Sequence, residues 1–200
     1  MDATERPPES QLELDIGRHL DAADLPAAAT VALEGYGPQI LGYLAVVLRN
    51  EDDAAEVFGR FAEEIWKAIG SFRREASFRT WAHRVAWSCA RRFLEDPYRR
   101  LGRRLQTQEI SGLAERIRST TAPYLREAVQ GRVALLRQDL LPEEQTLLVL
   151  RLDRGLSWRE VGLVLAQDGD EPAEDAALRK RFERIKGKLK RRAREAGLLE

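Results

Sequence analysis

The stretch SFRTWAHRVAWSCARRFL, residues 77–94, decides how the rest of the chain is read. At about 100° per residue, Phe78, Ala82, Val85, Cys89 and Phe93 share one face of a helix, the side that enters a core. Ser77 stands where an N-cap belongs, because its hydroxyl can accept from an orphan N–H of the first turn. Thr80, Arg84, Trp87 and Arg91 fall opposite the core face, with Arg79 and His83 nearby and Trp81 on a flank. Large aromatics among arginines suit single-stranded nucleic acid, since bases stack on the rings while the cations neutralise phosphate. The competing reading is that Trp87 packs on another element of the same chain, as large aromatics are highly buried on average. His83 reads as a surface polar group rather than a catalyst, and Cys89 as a buried, inert thiol.

Upstream, residues 70–75 read as a loop. From residue 53 onward Val57, Phe58, Phe61, Ala62, Ile65, Trp66 and Ile69 make an apolar stripe broad enough for two packing surfaces, one intramolecular and one for docking. A fully buried helix explains the same stripe. Residues 50–53 supply a polar break with capping side chains, and residues 26–48 form a first core helix. Residues 1–24 are acidic, carry Pro7 and Pro8, and read as a flexible tail, poorly ordered or at most partly helical.

Downstream, Pro97 stops the helix, and residues 99–123 lack strong periodicity and read as an interdomain linker with room for at most one short helix. Gly102, Gly112, Ser119, Thr120, Thr121 and Pro123 argue against a packed domain there. A second domain, residues 124–200, opens with a helix over 124–139. Pro142 suits the first position of the next helix, and Gly155 ends it. Ser157-Trp158-Arg159-Glu160 has the form of a capping box for a helix that turns Val161, Val164 and Leu165 inward. After an acidic connector, Leu178, Phe182, Ile185 and Leu189 form a narrow apolar stripe, opposite which lie Lys180, Glu183, Arg184 and Arg191, with Arg179, Arg181 and Lys188 on the flanks. Two short helices, the second basic and amphipathic, make a helix-turn-helix whose last helix enters a major groove, where Arg and Lys donate to guanine and Glu183 accepts from cytosine.

No segment alternates cleanly between apolar and polar residues, so the expected fold is all-α: two small helical domains, 25–98 and 124–200, joined by a linker. The formal net charge of zero hides an uneven distribution. Residues 1–70 hold fourteen acidic side chains against five basic; residues 71–105 hold ten arginines against three acids, and residues 178–195 ten cations against two acids. Two separate cationic segments suggest a polyanion gripped twice. One cysteine, two histidines and no CxxC or HxxxH spacing leave neither a disulfide framework nor a metal cage, so no metal and no cofactor is expected. No run approaches the roughly 18 apolar residues of a membrane helix, and the N-terminus lacks a secretory pattern. A cytoplasmic protein without a membrane partner is expected. No nucleotide-binding glycine loop and no converging catalytic constellation is discernible, so an enzyme is not expected.

These residues resemble the extracytoplasmic-function group of bacterial sigma factors, which pair a region two with a region four. The similarity is carried by YGPQILGYLAVVLRNEDDAAEVF, FAEEIWKAIGSFRREASFRTWAHRVAWSCARRFL, LLPEEQTLLVLRLDRGLSWREVGLVLA and ALRKRFERIKGKL. It implies that the helix of residues 53–69 docks on core RNA polymerase through Asp53, Glu56, Val57, Phe58, Arg60, Phe61 and Glu64. It implies that loop 71–77 holds a flipped base of the minus-ten promoter element. The melted strand would be contacted by Arg73, Arg74, Ser77, Arg79, Thr80, Trp81, His83, Arg84, Trp87 and Arg91. The minus-thirty-five duplex would be read by Arg179, Lys180, Arg181, Glu183, Arg184 and Lys188. Implied partners are core RNA polymerase and promoter DNA, with an anti-sigma factor as a further candidate. Gly59-Arg60 departs from the Gln-Glu usual in the family, and an interior glycine costs about 1 kcal/mol of helix stability. The acidic turn of residues 167–175 is longer than usual and sits where phosphates would lie. The alternative is a helix-turn-helix regulator that binds duplex DNA without engaging polymerase.

Overall fold

The computed structural model describes residues 11–95, 108–130, 136–137, 139–167 and 169–198, without the side chains of 108, 109 and 122–130. The fold is all-α, and there is no strand among the described residues. Helix α1, Gln11–Asp21, precedes the central helix α2, Leu25–Leu48. Asp24 caps α2 by accepting from the Ala27 N–H at 3.1 Å, with Pro26 in its first turn, and Arg49 ends it in the left-handed conformation. Helix α3, Glu51–Ala68, starts on the Asn50 side chain, which accepts from the Asp53 N–H at 2.9 Å. A short 3-10 turn, Ile69–Ser71, leads through a loop to α4, Phe78–Glu95.

Two expectations fail here. Residues 11–21, read as part of a flexible tail, form α1, because Leu12, Ile16 and Leu20 recur every fourth residue and pack on the core, with Ile16 fully buried. The rest of that tail, residues 1–10, lies outside the described residues. Part of the segment read as a linker also proves helical. Residues 108–123 belong to α5, Gln108–Gln130, which lies against α2 and α3. Ile110, Leu113, Ala114, Ile117 and Thr121 are buried at helical spacing. The hydroxyls of Ser119, Thr120 and Thr121 donate back to the carbonyls of Arg116 and Ile117, so these residues are satisfied inside the helix rather than breaking it. Gly37 of α2 permits the contact: a Cβ there would come within 2.8 Å of Ile117 Cδ1.

The C-terminal part begins with α6, Pro142–Leu148, which widens into a π-helical turn, Val149–Asp153. Gly155, at φ +66°, takes the chain out of it. The capping box forms as expected: Ser157 Oγ accepts from the Glu160 N–H at 3.2 Å, and the Glu160 carboxylate accepts from the Ser157 N–H at 2.8 Å. Helix α7, Trp158–Leu165, and the long α8, Asp175–Glu195, follow. Trp158 joins them, its ring edge-on to Phe182 at 5.3 Å and covered by the Arg151 guanidinium at 4.8 Å. Pro172 lies in the connector before the last helix.

Helices α6 and α7 dock on α2 and α4, so that one continuous apolar cluster runs from Ile16 to Ile185. Helix Leu25–Leu48 is long and apolar enough to cross a membrane by composition, which the reading of the sequence overlooked. Twelve of its residues are buried among α1, α3, α4, α5 and α6, the position of a core helix.

Candidate nucleic-acid interface

The loop between the 3-10 turn and α4 is shaped from both ends. Phe72 turns inward, meeting Phe78 at 5.2 Å and Trp81 at 5.3 Å between ring centroids. Trp81 is therefore half-buried in an aromatic trio, with one edge left open. Arg74 adopts φ +59° and reaches Asp21 at 2.6 Å and the Gly17 carbonyl at 3.2 Å. Arg73 stays exposed, 3.9 Å from Glu75. Ser77 Oγ accepts from the Thr80 N–H at 3.1 Å, the N-cap expected of it. A second cap comes from far away in sequence. Glu13 of α1 accepts from the N–H groups of Phe78 and Arg79 at 2.8 and 3.0 Å and from the Tyr36 hydroxyl at 2.6 Å. The positive end of α4 is thus already occupied by a carboxylate of the chain itself.

Along α4 the expected open face is partly covered. Thr80 is 1% exposed, His83 0% and Trp87 7%. Helix α7 lies along that face and Tyr43 of α2 meets His83; Ala166, at the end of α7, borders the same cleft as Arg84, Trp87, Ser88 and Arg91. The expectation of an exposed Trp87 is therefore corrected: it packs on another element of the same chain. His83 is corrected likewise, from a surface group to a buried ring edge-on to Tyr43 at 5.6 Å. Its Nδ1 lies 2.8 Å from the Arg79 carbonyl, which can only accept, so the proton sits on Nδ1 and Nε2 is a buried acceptor without a hydrogen-bond partner. Burial pushes the pKa of His83 down to about 4, with Arg154 and Arg79 adding to the shift and the hydrogen bond to Arg79 opposing it. Arg79, Arg84 and Arg91 keep part of their surface. Cys89 is buried as expected, and burial pushes its thiol up to about 12.

The seam between α4 and the C-terminal helices is polar as well as apolar. The Thr80 hydroxyl donates to Glu160 at 2.9 Å, Arg79 donates to the Arg154 carbonyl at 3.4 Å, and Arg154 donates to the Gln39 carbonyl at 3.1 Å. Tyr43 and Thr146 share a buried hydroxyl contact of 3.2 Å, and Arg49 donates to the Leu140 carbonyl. Burial disfavours charge on Glu160, yet the Ser157 backbone and hydroxyl, the Thr80 hydroxyl and Arg79 outweigh it and hold the carboxyl below its ordinary range. None of Glu13, Arg154, Glu160 or Ala166 was singled out from sequence as part of this face.

On α3 the residues proposed for polymerase divide. Val57, Phe58 and Phe61 are fully buried in the core, since α5 takes the second packing surface that their stripe offered. They present nothing to a partner in this arrangement. Asp53, Glu56, Arg60 and Glu64 retain partial exposure, with Arg60 paired to Glu56 and lying over the Phe93 ring.

Helix α8 keeps the cationic side that its sequence promises. Arg179, Lys180, Glu183, Arg184, Lys186, Lys188, Lys190 and Arg191 are exposed, and its buried residues face α6 and α7. Two of the proposed duplex readers are tied back: Arg181 pairs with Glu143, and Lys188 with Glu144. Glu183 pairs with Lys186 at 2.8 Å. Arg179, Lys180 and Arg184 form the open core of this surface.

The Sigma-70 region 2 family matches residues 32–100, which span most of α2, all of α3, the aromatic loop and α4. The chain is also 27% identical over 136 residues to the RNA polymerase sigma-H factor of Pseudomonas aeruginosa, a match covering 65% of this chain and 70% of that protein.

Proposed function

We propose that the chain, whose residues 32–100 match sigma-70 region 2, is a sigma factor of transcription initiation and a member of the extracytoplasmic-function group. It binds core RNA polymerase through the exposed side of α3, around Asp53, Glu56, Arg60 and Glu64. Loop 71–77 and α4 take the melted strand of the minus-ten element, with a base stacked on the half-buried Trp81 and phosphates held by Arg73, Arg79, Arg84 and Arg91. The last helix reads the minus-thirty-five duplex through Arg179, Lys180 and Arg184, residues 124–200 acting as region four. Bases captured outside the stack offset an unstacking cost of a few kcal/mol, so the factor supplies binding energy while catalysis stays with the polymerase in the cytoplasm.

The observation that carries the reading is a helix bearing the half-buried Trp81 and four arginines, set directly after an arginine-bearing loop inside the matched stretch. In vitro transcription with purified core polymerase, on DNA upstream of the gene encoding the chain, tests it. Trp81→Ala should reduce open-complex formation by about 5- to 150-fold, the equivalent of one lost stacking contact of about 1–3 kcal/mol. A chain that fails to bind core polymerase, yet binds duplex DNA unaffected by Trp81→Ala, is a helix-turn-helix regulator instead.

A further inference from the structure

We infer that Trp158 is a positioning residue for duplex recognition, its ring holding the Arg179 guanidinium ready for the edge of a guanine. The inference rests on the reading of α8 as the duplex helix. Trp158 is the first residue of α7, and its backbone is set by the Ser157–Glu160 capping box. Its ring is set by two further contacts. Phe182 lies edge-on to it at 5.3 Å, and the Arg151 guanidinium stands over it at 4.8 Å, anchored on the Leu156 carbonyl at 2.8 Å. Arg151 comes from the π-helical turn, Val149–Asp153, a conformation often found at functional sites. Over the same ring stands a second cation, Arg179 of α8, with Cζ 5.9 Å from the centroid and within reach of the attraction between a guanidinium and an indole.

What holds a cation decides what it can bind next. Arg181 and Lys188 of the same helix are held by the carboxylates of Glu143 and Glu144, which take up N–H donors and offset the charge. A base or a phosphate must displace those partners first. An aromatic ring holds a guanidinium over its face instead, so the donors along the guanidinium's edge stay open and its charge is not neutralised. Arg179 is exposed and lies near the N-terminal end of α8, the part of a helix-turn-helix that meets base edges. Holding it beforehand spares part of the side-chain freedom lost on binding, which counts most for the two-pronged contact with guanine O6 and N7. Lys180 and Arg184, exposed on the same helix, are then left to the phosphates, which need charge rather than a fixed fork.

The test reads sequence preference as well as affinity. The full-length chain, alone and on core polymerase, selects from duplexes with a randomised window, and the bound fraction is sequenced. Arg179→Ala should abolish the preference for guanine at one position. Trp158→Leu should lower the preference at that same position by about two- to tenfold and leave the other positions at their parent values. In the double variant the loss should equal that of Arg179→Ala alone, because the ring acts only through the side chain it holds. A Trp158 that serves the packing of α7 on α8 alone would, once replaced, blur every position and change the salt dependence carried by Lys180 and Arg184; that result overturns the inference. So does a guanine preference lost in Arg179→Ala but intact in Trp158→Leu, which leaves the duplex reading standing. A parent chain that selects no sequence in either form removes α8 from the duplex, and the role of Trp158 falls with it. Should Trp158→Leu not fold, a fluorinated tryptophan at position 158 keeps the shape of the ring and weakens its negative face. The guanine preference should then fall with each added fluorine, and a preference indifferent to fluorine rejects the inference.

Discussion

Lowering the pH from 7 to 5 should destabilise this protein by about 2 kcal/mol through one side chain. His83 is sealed between α2, α4 and the C-terminal helices, facing the Tyr43 ring, the Arg79 carbonyl and two guanidinium groups, those of Arg79 and Arg154. No carboxylate contributes to its shift. The folded chain therefore keeps it neutral down to about pH 4, while the unfolded chain takes up a proton near the ordinary value of 6.5. Between those two values the unfolded state binds more protons, so stability falls as the pH drops through 6.5 and the loss is complete near 4. With these two values the loss between pH 7 and pH 5 comes to about 2 kcal/mol. The carboxylates Glu144 and Glu160 are held below their ordinary range and stay ionised in both folded and unfolded chains over most of this interval, so they add little. Urea unfolding at the two pH values measures the difference. His83→Phe keeps a ring against Tyr43 and removes the titration, so its pH dependence should nearly vanish. A His83→Phe chain that loses as much stability as the parent between pH 7 and 5 would refute the reasoning.

Three further outcomes are expected. Glu13→Ala strips two N–H groups of α4 of their acceptor and should cost about 2 kcal/mol in chemical denaturation, with faster amide exchange at Phe78 and Arg79. Ile117→Ala should cost about 2–5 kcal/mol by the same measurement, because the side chain is buried between α5 and Gly37; a cost near zero would mean that α5 is not part of the core. Lys180→Ala and Arg184→Ala should each flatten the salt dependence of duplex binding by about 0.9 in log–log slope, and a slope unchanged by both would remove α8 from the duplex contact.

Local chemistry was legible in the sequence where one side chain acts on its own neighbourhood. Asn50, Ser77, Pro142 and the Ser157–Glu160 box stand at helix starts as read, and Cys89 lies on the buried side. Two helices escaped because composition masked periodicity. The acidic residues of α1 hid Leu12, Ile16 and Leu20, and the Ser-Thr-Thr run of α5 hid the spacing of Ile110, Leu113 and Ile117. What no local pattern carries is which exposed-looking face another helix will cover. Trp87, Thr80 and His83 read as open because a helical wheel shows the side away from the helix's own apolar stripe, and the elements that cover them lie far from α4 in sequence, as Glu160 does for Thr80 and Tyr43 for His83. The same blindness left Val57, Phe58 and Phe61 available to polymerase on paper, until α5 took their second surface. Glu13, acting on backbone groups 65 and 66 residues away, gave no signal that spacing could detect.

That carboxylate bears on how nucleic acid would be grasped. Backbone amides at the start of a helix are a common cradle for phosphate, but here the cradle is filled before any DNA arrives. A strand laid along α4 must then find its counter-charge in flexible guanidinium groups spread over the loop and the helix. Long side chains follow a moving backbone more readily than fixed amides do, which suits a ligand that is a duplex when it arrives and a single strand once bound.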